Sequence, residues 1–129
     1  MVGMDTLTNI EREYLAGQRL GRLATIDAHG TPQNSPVGYF VEADGTVVVG
    51  GRALGKSRKF QNVVRNPRVA LIVDDVASTD PWRVRAVEIR GRGEALTDTE
   101  PPRPGMSREI IRIHPERIVS WGLEADNEA

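Results

Sequence analysis

The chain contains no cysteine. A disulfide framework, a thiolate nucleophile and a cysteine-ligated zinc or iron–sulfur centre are therefore excluded, and any redox chemistry must come from a bound cofactor. An excess of one charge is missing too: 17 Lys and Arg against 18 Asp and Glu leave a net charge of −1, so no overall field draws the chain to nucleic acid or a membrane surface. No window approaches the ~18 apolar residues of a membrane span, and the N-terminus lacks the basic segment and apolar run of a secretory signal. These absences predict a cytoplasmic protein without nucleic-acid or membrane partners. Histidine is scarce: His29 lies in a turn and His114 precedes Pro115, with no second ligand at metal spacing, so no metal site is expected. There is no internal repeat or low-complexity segment, and 129 residues fit one domain, 1–129, around one core.

What is present is hairpin patterning. Thr8-Asn9-Ile10-Glu11 has the spacing of a capping box and predicts a short helix to about Gly17. Alternation then takes over from Arg19, with a turn at Asp27-Ala28-His29-Gly30 and a second strand from Pro32 to Ala43; Pro36 predicts an edge or bulge there. Asp44-Gly45 reads as a two-residue turn into Thr46-Val47-Val48-Val49, which makes those strands antiparallel. A helix from about Ser57 to Val64 is closed by Asn66-Pro67, and Arg68 to Asp74 is a buried strand. Arg83 to Asp98 alternates as a long strand whose Gly91 and Gly93 permit a bend or bulge. A proline-rich loop, Glu100 to Gly105, precedes a last apolar strand, Arg117 to Leu123, and an acidic tail expected to fray. About six strands with two short helices favour a mainly β, closed or nearly closed antiparallel barrel.

The chemistry concentrates between Gly50 and Pro67, which reads as strand end, glycine-rich basic turn and helix start. Backbone N–H groups at a helix N-terminus carry partial positive charge, and Arg52, Lys56, Arg58 and Lys59 crowd this one, pointing to a phosphorylated ligand. Gly50 to Ser57 also satisfies the P-loop pattern G-x-x-x-x-G-K-S, and Asp74 resembles the acidic strand end that positions magnesium. Topology argues against a nucleotide hydrolase, because a P-loop strand belongs to a parallel sheet covered by helices, whereas this one is tied to an antiparallel neighbour. Trp82 and Trp121 read first as core or dimer-interface anchors and only second as cofactor contacts, and Arg85, Arg90 and Arg92 as exposed strand residues opposite Glu88 and Glu94.

Five segments carry a family likeness: Gly21-Arg22-Leu23-Ala24-Thr25, Gly30 to Val37, Ser57-Arg58-Lys59 with Asn62, Asn66-Pro67-Arg68-Val69-Ala70, and Val87-Glu88-Ile89-Arg90-Gly91. Together they resemble the pyridoxamine 5′-phosphate oxidase-related family of split β-barrels over nearly the whole chain. Asp80-Pro81-Trp82 and Ile118 to Leu123 are most similar to its actinobacterial branch, which uses the deazaflavin coenzyme F420 in place of FMN. The resemblance implies a homodimer with cofactor sites at the interface, a phosphate held at Ser57, Arg58 and Lys59 with Lys56 and Arg52 as added cations, and Asn34, Ser35, Pro36 and Val37 along the ring system. It implies no catalytic acid or nucleophile: a reduced cofactor hands hydride to an unsaturated or quinone-like acceptor, and the protein supplies placement and electrostatics. The full C-terminal substrate segment of authentic pyridoxamine-phosphate oxidases is missing from the likeness, so vitamin B6 oxidation is not expected. An FMN-dependent oxidase or flavin reductase and a non-catalytic cofactor-binding protein stay open as alternatives.

Overall fold

A computed structural model describes residues 5–123. Helix α1 (Asn9–Ala16) is followed by strands β1 (Gly21–Ile26), β2 (Pro32–Val41) and β3 (Val47–Gly50), a one-turn 3-10 helix (Leu54–Lys56), helix α2 (Arg58–Arg65), and strands β4 (Arg68–Thr79), β5 (Trp82–Leu96) and β6 (Ile110–Trp121). The strands close in the order β1-β2-β3-β6-β5-β4, with every neighbour antiparallel. This is the mainly β, closed antiparallel barrel that the hairpin patterning predicts, and the split-barrel architecture that the family likeness implies. The acidic tail lies outside the described residues.

The interior follows the period-2 rule, since alternate side chains of a strand share a face. Leu23, Val47, Val49, Leu71, Val73, Val87, Ile89, Ile111 and Ile113 are almost fully buried and fill the barrel, and Leu7, Tyr14 and Leu15 at the start of the chain join the same core. Gly91 lies where β5 shifts register against Pro115 of β6, and a Cβ there would sit 2.1 Å from the His114 carbonyl oxygen. Glycine thus permits the expected bulge.

Two strands and one turn differ most from the sequence pattern. β4 runs on to Thr79 because Asp75, Val76 and Ser78 keep pairing with β5 across a bulge, although Asp-Asp had read as its end. β6 starts at Ile110, seven positions before the expected Arg117, because Ile111 and Ile113 face the core on either side of a polar Arg112 that pairs with Val48. The β2–β3 turn is three residues long: Glu42 N donates to Thr46 O, Gly45 N donates to Glu42 O, and Gly45 takes φ 91°. Asp44 stabilises it by accepting from both the amide and hydroxyl of Thr46. The β1–β2 turn repeats this design with Asp27 and Gly30.

Candidate functional site

The site begins with a mismatch in strand lengths. β2 pairs with β1 from Pro32 to Val37, but its pairing with the short β3 starts only at Gly38. The outer edge of residues 32–37 is consequently open, as Pro36 had indicated, and α2 begins beside it. A cleft of about 530 Å³ between them is lined by Thr25, Gln33, Asn34, Ser35, Arg58 and Lys59. A smaller one of about 220 Å³ continues along the edge past Pro36, Val37 and Gly38 to Arg52 and Ser57, and Lys59 lines both.

Helix α2 is built to leave this end polar and exposed. The Ser57 hydroxyl accepts from Phe60 N at 3.3 Å and donates to Leu54 O at 2.6 Å, which makes Ser57 the N-cap of α2. Arg58 and Lys59 follow in the first turn, which carries no acidic residue. Cations there oppose the helix dipole. Among the described residues none of Arg52, Lys56, Arg58 and Lys59 forms an ion pair, and the amides of Arg58 and Lys59 have no internal acceptor. Asp27 is held below the usual carboxylate range by the amides of Thr31 and then His29, with Arg58 the least of its influences. The cleft therefore offers unmatched donors and positive charge to an anion.

Beneath the cleft, Asn62 fixes the helix to the strands. Its side chain is 2% exposed, and its Nδ2 donates to Thr25 Oγ1 at 3.0 Å and to Gln33 Oε1 at 2.7 Å. One amide of α2 thereby sets the spacing between helix, β1 and β2, which is the width of the cleft. Val63, one residue on, packs over Gly93, where a Cβ would meet it at 3.1 Å.

The P-loop-like turn is closed by its own protein. Leu54 N donates to Ser107 Oγ at 3.2 Å, Gly55 N to Glu109 Oε1 at 3.3 Å, Lys56 N to Ala53 O and Ser57 N to Leu54 O. The four consecutive amides from Leu54 to Ser57 are thus taken, and Asp74, the would-be magnesium ligand, is paired with Arg22 at 2.7 Å. β3 is antiparallel to both neighbours. Geometry and topology together remove the nucleotide-hydrolase reading.

Of the residues marked out by sequence, the structure brings Asn34, Ser35, Arg58 and Lys59 to the larger cleft and Pro36, Val37, Arg52, Ser57 and Lys59 to the smaller. Lys56 is exposed in the one-turn 3-10 helix and lines neither. Trp82 and Trp121, 67% and 45% exposed, also line neither; they sit on the β4–β5–β6 sheet, where Trp82 faces Thr79 across the ladder and Trp121 faces Ala86. Arg85 is turned to Asp75, and Arg90 pairs with Glu88 at 2.8 Å. Thr25 and Gln33 had no signal of their own, being unremarkable members of alternating strands. Ser107 and Glu109 lie more than fifty positions from the amides they hold, so local pattern could not have found them.

The cofactor implied by the likeness fits this arrangement: two free amides, two unpaired cations and an open strand edge suit a phosphoryl group continued by a flat ring. Comparison with known proteins identifies the family. The pyridoxamine 5′-phosphate oxidase family matches residues 7–122. The 5a,11a-dehydrotetracycline/5a,11a-dehydrooxytetracycline reductase of Streptomyces rimosus is 51% identical over 121 residues, covering 92% of this chain and 85% of that one. A conserved hypothetical protein of Mycobacterium tuberculosis shares the fold with a TM-score of 0.69 at 24% identity, over 98% of this chain and 92% of that one. An F420 reductase superposes with a TM-score of 0.60 at 26% identity, over 78% of this chain and 89% of that one. The match along almost the whole barrel, with the cleft inside it, makes this chain a member of the pyridoxamine 5′-phosphate oxidase family and an oxidoreductase.

Proposed function

We propose that the protein is an F420-dependent reductase of unsaturated or quinone-like ring compounds, active as a homodimer with the cofactor between subunits. The observation that carries the reading is the start of α2, where unmatched cations and amides face an open strand edge. Arg58 and Lys59 hold the phosphoryl group through side chains and backbone, Arg52 adds charge from the turn, and Ser57 fixes the helix start. Asn34, Ser35, Pro36 and Val37 flank the ring system, while Asn62 keeps the cleft at constant width. Bound reduced F420 supplies hydride. No side chain of the cleft is a carboxylic acid, histidine or thiol, so this chain's part is binding and orientation.

The choice of F420 is supported by the likeness to the solved F420 reductase, and the substrate class by the S. rimosus relative, whose dehydro substrate carries an extra ring double bond. The dimer follows from the same reading: Trp82 and Trp121 present apolar surface that a second copy would cover. The test is parallel titration with F420 and FMN followed by cofactor fluorescence, then oxidation of reduced F420 with 5a,11a-dehydrotetracycline, quinones and enones. Selective F420 binding with turnover of one acceptor class is expected. Selective FMN binding would transfer the protein to flavin chemistry, and binding with inertness to every acceptor would make it a cofactor carrier.

A further inference from the structure

The closed P-loop-like turn has a use once the start of α2 is read as a phosphate site. We infer that Glu109, supported by Ser107, is a specificity-determining residue that restricts the site to ligands carrying one phosphoryl group and rejects pyrophosphates. The inference rests on the phosphate reading above and deepens it.

In a turn of this pattern, the backbone amides cradle a run of phosphates ahead of the helix. Here the Glu109 carboxylate occupies that position. Its Oε1 accepts from Gly55 N at 3.3 Å, and a Cβ added to Gly55 would meet Glu109 Cγ at 2.8 Å and Oε1 at 2.9 Å, so the acid lies directly against the turn. Ser107 braces the same segment: its amide donates to Gly51 O at 2.8 Å, and its hydroxyl accepts from Leu54 N and donates to Gly51 O. Gln61 Nε2 closes the remaining side by donating to Gly55 O at 2.9 Å. At the helix start the free amides are those of Arg58 and Lys59, enough for one phosphoryl group. A second group extending toward Gly55 would find that amide taken and meet the Glu109 carboxylate. Rejection by like charge is how a site discriminates between ligands that its attractive contacts would otherwise both accept.

The test uses the intact protein loaded with whichever of F420 or FMN it binds, displaced by inorganic phosphate or pyrophosphate. A simple basic patch favours the more highly charged pyrophosphate. The inference expects pyrophosphate to compete no better than phosphate in the wild type. In Glu109→Gln, which keeps an acceptor for Gly55 N, pyrophosphate should become about tenfold the better competitor while affinity for the loaded cofactor stays within about threefold. Ser107→Ala loosens the turn without changing its charge, and should leave the phosphate-to-pyrophosphate ratio at the wild-type value. The inference is overturned if pyrophosphate already competes about tenfold better in the wild type, if Glu109→Gln leaves the ratio unchanged, or if Ser107→Ala shifts it equally. Failure of the wild type to bind either cofactor would instead overturn the phosphate site itself.

Discussion

Helices α1 and α2 are each eight residues long and each starts on a hydroxyl cap, yet their ends are handled in opposite ways. At α1, Thr8 and Glu11 complete a capping box, each side chain accepting from the other's amide, and the second Glu11 oxygen accepts from Ser120 Oγ at 2.6 Å. Further along, Tyr14 O–H donates to Asp75 at 2.8 Å, Asp75 is gripped by Arg85, and the guanidinium lies 5.3 Å from the Tyr14 ring. Charge and dipole agree there, and the polar groups are matched. At α2 the first turn holds two cations against the dipole and two amides without partners. The contrast is between a helix start whose charges and donors are satisfied within the chain and one that leaves them open to an anion from outside.

The strongest way to break the comparison is to give α2 the character of α1. Arg58→Glu with Lys59→Glu should lower cofactor affinity at least ~100-fold, about 2.7 kcal/mol, while leaving the free protein as stable or up to ~1 kcal/mol more stable, because acids suit a helix N-terminus. Fluorescence titration and thermal unfolding of the same samples read the two signs; a loss of both would show that the cations are structural. Asn62→Ala comes next, costing ~1–3 kcal/mol of stability by leaving Thr25 and Gln33 without their buried donor, and widening the cleft, so that denaturant midpoint and cofactor affinity fall together. Thr8→Ala should cost ~1 kcal/mol through the lost cap with cofactor affinity unchanged; a change in affinity would mean that the two ends of the barrel are coupled.

Tyr14→Phe should cost a comparable ~0.5–1.5 kcal/mol for one hydrogen bond, and it carries a pH signature. Arg85 chiefly, and Tyr14 after it, hold the Asp75 carboxyl below its ordinary range, against the opposing effect of burial. A carboxyl depressed in the folded state stabilises above its unfolded pKa, ~3.9, and that stabilisation disappears as pH falls through the folded value. Removing the Tyr14 bond should therefore move the acid-unfolding midpoint upward in pH, and an unmoved midpoint would take Tyr14 out of the cluster.

Much of this was legible because local rules and tertiary contacts agreed. The capping box placed α1, Ser57 placed α2, and glycine-bearing turns forced the antiparallel order that disposed of the P-loop match. Legibility failed where a strand was held by partners distant in sequence. The strand looked complete at Asp74 but continues because half-buried Asp75 is bonded to Tyr14 and Arg85, and β6 begins upstream of His114-Pro115 because β3 and β5 supply the ladder. In the site, the cations and the β2 edge could be read, since charge and proline are conspicuous. The groups that give the cleft its shape could not: Thr25, Gln33 and Asn62 are ordinary polar residues until a fold brings them together, and nothing near Glu109 in the chain announces Gly55.

The open edge of β2 has one more consequence, for solubility. An unpaired strand edge is a template on which another chain can add a strand, the first step toward fibrous association. Here the exposed run includes Pro32 and Pro36, while the ladder with β1 continues through both. The donors missing from these prolines are therefore missing on the outer side, where an incoming strand would need them. The same prolines that mark this edge deny an intruding backbone its hydrogen bonds, so the edge can stay bare without inviting strand addition.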